Sequence, residues 1–105
     1  MVINGEFKNG KLTVFLKGDL DHHAAREAMR ELTLKIDTHL PRSCVLDLKN
    51  LRFMDSSGIA LILKTDKRMK ELEGKFCVVN VPPQPKRVLN ASGISRIIDI
   101  REAGI

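Results

Sequence analysis

Apolar and polar positions change period several times along the chain, and each change marks the edge of an element. Val2 to Phe7 reads as a short strand, Asn9-Gly10 as a hairpin turn, and Leu12-Thr13-Val14-Phe15-Leu16 as the alternating return strand. After Gly18, Asp19-Leu20-Asp21-His22-His23 leads into a helix that either aspartate is able to cap. Ala25, Met29, Leu32, Ile36 and Leu40 fall at steps of four, three, four and four, one apolar stripe opposite Arg26, Glu27, Arg30 and Glu31. Pro41 ends this helix, because the residue before a proline avoids the helical region.

Ser43 to Leu48 reads as a mostly buried strand, and Lys49-Asn50-Leu51-Arg52 as a short connection. At Phe53-Met54-Asp55-Ser56-Ser57-Gly58 the apolar run breaks into small polar residues and resumes at once with helical spacing, which predicts a strand-to-helix corner. The second helix turns Ile59, Ile62, Met69 and Leu72 inward and Lys64, Lys67, Arg68 and Glu71 outward, with Gly74 as its stop. Lys75 to Val81 is a further strand, cut off by Pro82, Pro83 and Pro85. Lys86-Arg87-Val88-Leu89 predicts a short third helix ending near Gly93, and Arg96 to Ile100 a last strand.

Strands alternating with helices after a hairpin predict an α/β fold in one domain spanning residues 1–105. The expected sheet is mixed, with four to five strands, its later strands parallel and joined by right-handed crossovers. In such sheets the loops after the strands' carboxyl ends are neighbours, so the Asp19–His23 and Asp55–Gly58 loops should meet.

Composition narrows the chemistry. A chain of 105 residues buries roughly 60–70% of its unfolded surface on folding. A net charge of +5 raises nucleic acid or an acidic partner, but Trp and Tyr are absent and the four Phe do not alternate with basic residues as a base-stacking platform requires. Direct nucleic-acid binding is therefore not expected. Lys64, Lys67, Arg68 and Lys70 form a local basic cluster, either a solvated helical face or a surface for acidic groups of a partner. Cys44 and Cys77 read as buried free thiols. With no apolar run long enough for a span and no signal-peptide pattern, the expected location is cytoplasmic, without membrane association.

At the corner, two hydroxyls and an aspartate open a helix, where unsatisfied N–H groups and the positive end of the dipole favour a negative group. Taken alone, Ser56 reads as an N-cap worth about 1 kcal/mol. Asp55 caps the helix or orients the Ser56 hydroxyl, and Ser57 belongs in the first turn. Gly58 costs about 1 kcal/mol against alanine within a helix, which implies close approach by a ligand or tight packing on the sheet. Asp21 is either the cap of the first helix or an interface residue. His22, His23 and His39 read as surface residues, so no metal site is expected. A serine hydrolase with Ser56 or Ser57 as nucleophile is a remote alternative, since the Gly-x-Ser-x-Gly elbow is missing.

Gly18-Asp19-Leu20-Asp21-His22-His23, Phe53-Met54-Asp55-Ser56-Ser57-Gly58 and Pro85-Lys86-Arg87-Val88-Leu89-Asn90-Ala91-Ser92-Gly93-Ile94 together resemble the signatures of bacterial anti-sigma factor antagonists, small STAS-domain proteins. The likeness lies nearest the sporulation branch that relieves inhibition of sigma factor F. It implies a STAS fold and a non-enzymatic partner switch that regulates transcription, with no cofactor of its own. The unphosphorylated antagonist binds an anti-sigma factor that is also an ATP-dependent serine kinase, and the sigma factor is released. Phosphorylation of the serine after the aspartate, here Ser56, discharges the antagonist, and a metal-dependent serine phosphatase restores it. The likeness also makes Asp21, Asp55, Ser56, Ser57 and Gly58 the expected partner-binding residues. A STAS scaffold or general stress-response antagonist with a different kinase is the alternative. Asp19 stands where glutamate is familiar and Ala60 where glycine is common. The chain stops at Ile105, so the terminal helix of longer members is expected to be missing or very short.

Overall fold

The computed structural model describes residues 1–102. The expectation about the terminal helix concerns the chain beyond them and lies outside the described residues. Strand β1 (Val2–Lys8) turns into β2 (Lys11–Leu20), followed by helix α1 (His22–His39) and strand β3 (Ser43–Met54). Helix α2 (Ser56–Glu71), strand β4 (Lys75–Val79), helix α3 (Pro83–Ser92), a short 3-10 turn at Ile94–Arg96 and strand β5 (Asp99–Arg101) complete the order.

The strands form one sheet in the order β1-β2-β3-β4-β5, antiparallel between β1 and β2 and parallel thereafter. Asn9 and Gly10 at the hairpin have φ of 52° and 80°, the paired positive values of a two-residue turn that matches strand twist. Every parallel crossover steps one strand in the same direction, so right-handed connections stack α1, α2 and α3 on one face of the sheet. Against that face Leu12, Val14, Leu16, Leu46, Leu48 and Val78 meet Leu32 and Ile36 of α1 and Ile62 and Met69 of α2, all buried. Cys44 and Cys77 are buried free thiols on β3 and β4.

The structure corrects the sequence pattern in several places. Lys49 to Arg52 is part of β3, not a connection: β2 runs alongside it to the Leu20–Met54 pair, with register shifts at Phe15/Lys17 and Gly18/Asp19. Gly18 at φ +114° takes up the second shift. The stripe of α1 is centred on Ala28, Leu32 and Ile36, while Leu40 is the left-handed cap residue and 60% exposed. Its N–H reaches the Ile36 carbonyl at 2.8 Å and closes the helix just before Pro41. The stop after α2 is made by Glu73 at φ +57°, not by Gly74. Gly74 and Glu73 donate to the Met69 and Lys70 carbonyls, a Schellman closure. Gly74 is there for space, since a Cβ would lie 2.9 Å from the Arg42 carbonyl oxygen.

Strand β4 ends at Val79, because Asn80 turns at φ +56° before the prolines are reached. Helix α3 already begins at Pro83, whose fixed φ suits a first helical position, and runs on to Ser92. The last strand begins at Asp99, because residues Ile94–Arg96 close a 3-10 turn first.

Candidate functional site

The bulged pairing of β2 with β3 brings their carboxyl ends level, and a helix leaves each end at once. Asp21 caps α1, its Oδ1 accepting from the Ala24 N–H at 2.9 Å. Asp55 caps α2, its Oδ1 accepting from the Ser57 N–H at 2.8 Å. The second oxygen of Asp55 accepts from the His22 N–H at 3.1 Å, so one carboxylate serves the first turns of both helices. The two loops expected to meet are thus in hydrogen-bond contact.

With Asp55 as the cap, Ser56 is the first helical residue and stands exposed, while Ser57 is half-buried in the first turn. Gly58 is buried, and a Cβ on it would lie 2.5 Å from Cγ of Met54 and 2.9 Å from its Sδ. Close packing on the end of β3 therefore accounts for this glycine. Among the described residues no histidine hydrogen-bonds Ser56 or Ser57, and no cluster of three His, Cys, Asp or Glu side chains is placed to hold a metal ion.

A residue the sequence pattern did not mark holds the corner from the other side. Strand β4 pairs with β3 only as far as Asp47, so among the described residues the end of β3 has no neighbour strand on that side. The Gln84 amide of α3 takes its place: Oε1 accepts from the Met54 N–H at 2.8 Å and Nε2 donates to the Met54 carbonyl at 3.0 Å. Only the alternation of Gln84 with Pro83 and Pro85 at a helix start could have hinted at a fixed side chain there.

Across the ends of β2 and β3, the Arg52 guanidinium makes paired 2.9 Å bonds to both carboxylate oxygens of Asp19. That contact holds the Asp19 carboxyl below its ordinary range and raises Arg52. The expected basic cluster is divided. Arg68 bridges to Asp37 of α1 at 2.9 Å and Lys70 to Asp66 at 2.9 Å, whereas Lys64 faces an open groove between α1 and α2.

Residues 3–103 match the STAS domain, and the chain belongs to the STAS-domain family. It is 38% identical over 98 residues to the anti-sigma F factor antagonist of Paenibacillus polymyxa, covering 93% of this chain and 84% of that protein. Its fold is similar to the unphosphorylated form of the anti-sigma factor antagonist SpoIIAA, with a TM-score of 0.84 at 24% identity over 97% of this chain and 88% of that one. It is also similar to the Bacillus cell fate determinant SpoIIAA in the phosphorylated form, with a TM-score of 0.75 at 24% identity over 97% of this chain and 91% of that one. Among the described residues no helix is long and apolar enough to cross a membrane.

Proposed function

We propose that the chain is an anti-sigma factor antagonist that works in the cytoplasm by partner switching, with Ser56 as the phosphoacceptor. Unphosphorylated, it binds an anti-sigma factor that is also an ATP-dependent serine kinase and so frees the sigma factor. Transfer of a phosphoryl group to the Ser56 hydroxyl discharges it, and a serine phosphatase restores it. A role in sporulation follows from the likeness to the anti-sigma F factor antagonist.

The observation that carries this reading is the exposed Ser56 hydroxyl on the first helical residue after a cap that is already satisfied. A partner reaches it without displacing a buried contact. A phosphate there adds about −1.5 to −2 charge at the end of the helix that favours it. Backbone groups around it are held by Asp55 and Gln84, so the corner keeps its shape and the change is felt across the interface. Asp21, Asp55 and Ser57 shape the surface around Ser56, and Gly58 acts from beneath through Met54.

The test is intact mass after incubating wild type and Ser56→Ala with the host's anti-sigma kinase and ATP. One added phosphoryl group on wild type alone is the expected outcome. Modification of the Ser56→Ala protein, or of neither protein by a kinase active on another substrate, overturns the assignment.

A further inference from the structure

Between the outward faces of α1 and α2 runs an open groove of about 760 Å³. Its floor is apolar and shallow because Ala25 and Ala60 are small, with Met29 and Leu61 beside them. His22, Arg26, Arg30 and Lys64 stand along it, Arg30 bridged at 3.3 Å to Glu27 of its own helix, and among the described residues no acidic side chain lines the groove itself. One end opens at Ser57, next to Ser56. One turn past Thr33 and Lys64, the Arg68–Asp37 ion pair ties the two helices together. From Ala25 to Thr33 the groove is roughly 12 Å long at 1.5 Å per residue, room for about two turns of a helix.

We infer that this groove receives an acidic, amphipathic segment of the protein partner that docks at the Ser56 corner. The inference rests on the partner-switch reading and adds to it the chemistry of the partner. An apolar side chain of the segment settles between Ala25 and Ala60, and its carboxylates meet Arg26 and Lys64, the usual division between anchor and polar rim. Charge complementarity selects an acidic occupant, since nothing in the described lining would pair with a cation. A nucleic acid is disfavoured because no Phe, Tyr or Trp among the described residues lines the groove to stack on a base. A membrane surface is disfavoured by the concave shape, which a flat bilayer cannot fill. The groove also gives the switch its sign: a phosphate on Ser56 sits at the mouth and competes with the segment's carboxylates for the same cations, as well as repelling them.

The experiment is titration calorimetry of unphosphorylated protein with the purified host anti-sigma factor at low and at physiological salt. The Arg26→Glu/Lys64→Glu double variant is expected to bind about tenfold more weakly at low salt and to lose most of the salt dependence. Ala60→Leu, which fills the floor, is expected to weaken binding by about tenfold while keeping the salt dependence. Both should melt like wild type, since all three positions are exposed. Wild-type affinity in both variants, together with lost binding in Ser56→Asp, overturns the groove and leaves the corner reading standing. No binding by the unaltered chain overturns both. If the double variant keeps its affinity for the anti-sigma factor but loses binding to a polyuridine oligomer or to phosphatidylglycerol vesicles, the groove belongs to that ligand and the inference falls.

Discussion

The carboxylate of Asp55 is bonded to the backbone N–H of His22, a residue thirty-three positions earlier in the chain, at 3.1 Å. Its other oxygen caps the helix that Asp55 itself begins, at 2.8 Å from the Ser57 nitrogen. One side chain thus fixes the relative position of two helix N-termini. Asp55→Ala removes both bonds and should lower stability by about 1–2 kcal/mol. Asp55→Asn keeps an acceptor for one of them and should lose less. Urea unfolding of the three proteins measures the difference, and an alanine variant as stable as wild type would mean the bridge holds nothing.

Gln84 performs the pairing a neighbouring strand would otherwise supply at Met54. Gln84→Ala leaves a part-buried N–H and carbonyl short of partners, a loss of about 1–3 kcal/mol. Gln84→Glu is a sharper probe. A carboxylate still accepts from the Met54 N–H, but it has no proton to give the Met54 carbonyl and repels it instead. Near neutral pH this variant should therefore remain well below wild type. Part of the loss should return in acid, where the introduced carboxyl takes up a proton and regains a donor. A pH series of chemical unfolding curves decides it.

Gly58→Ala sets two terms against each other. Alanine gains about 1 kcal/mol within a helix. The added Cβ meets Met54 Cγ at 2.5 Å, and Met54 is fully buried, so the core must repack at about 1–3 kcal/mol. The clash should win, giving a net loss of stability. Adding Met54→Ala to Gly58→Ala should cost less than the sum of the two single changes, because the side chain in the way has gone. Additive losses in a double-mutant cycle would remove Met54 as the reason for the glycine.

The Asn9-Gly10 turn and the period of the apolar positions are enough to read the hairpin, the alternation of strands and helices, and the corner at Asp55, because each depends on neighbours in sequence. Where the pattern misleads, a long-range contact decides. Lys49 to Arg52 look like a connection until β2 lies beside them, and Leu40 continues the stripe of α1 until the chain must turn out toward Pro41. Thr65 carries no mark of burial as a polar residue, yet it is buried, its hydroxyl donating to the Leu61 carbonyl at 2.8 Å. Caps at these two helix starts are legible because capping is local, but Asp19 competes with Asp21 and Ser56 with Asp55 until the structure assigns the caps to Asp21 and Asp55. The second bond of Asp55 and the pairing by Gln84 are not legible, because each joins residues thirty or more positions apart.

Cys44 should make the fold sensitive to alkali. Burial, and secondarily Cys77, push its thiol from 9.0 up to about 12. The folded chain therefore holds a proton that the unfolded chain releases above about pH 9, and stability falls as pH rises from there to about 12. The slope approaches about 1.4 kcal/mol per pH unit. Unfolding curves at successive pH values for wild type and Cys44→Ala should diverge at neutral pH and converge as pH climbs. Parallel curves would show that the thiol does not govern the alkaline loss.

Phosphorylation at Ser56 should change binding far more than folding. The phosphate gains about 0.3–1 kcal/mol from the N-terminus of α2, and the nearby Asp55 carboxylate offsets part of that at an exposed, screened position. The two forms should unfold within about 1 kcal/mol of each other. Their backbone amide shifts should differ only around the starts of α1 and α2, the elements Asp55 joins. A large drop in melting temperature, or shifts spreading to β4 and β5, would mean that a phosphate on Ser56 acts by loosening the fold and not by altering the surface around it.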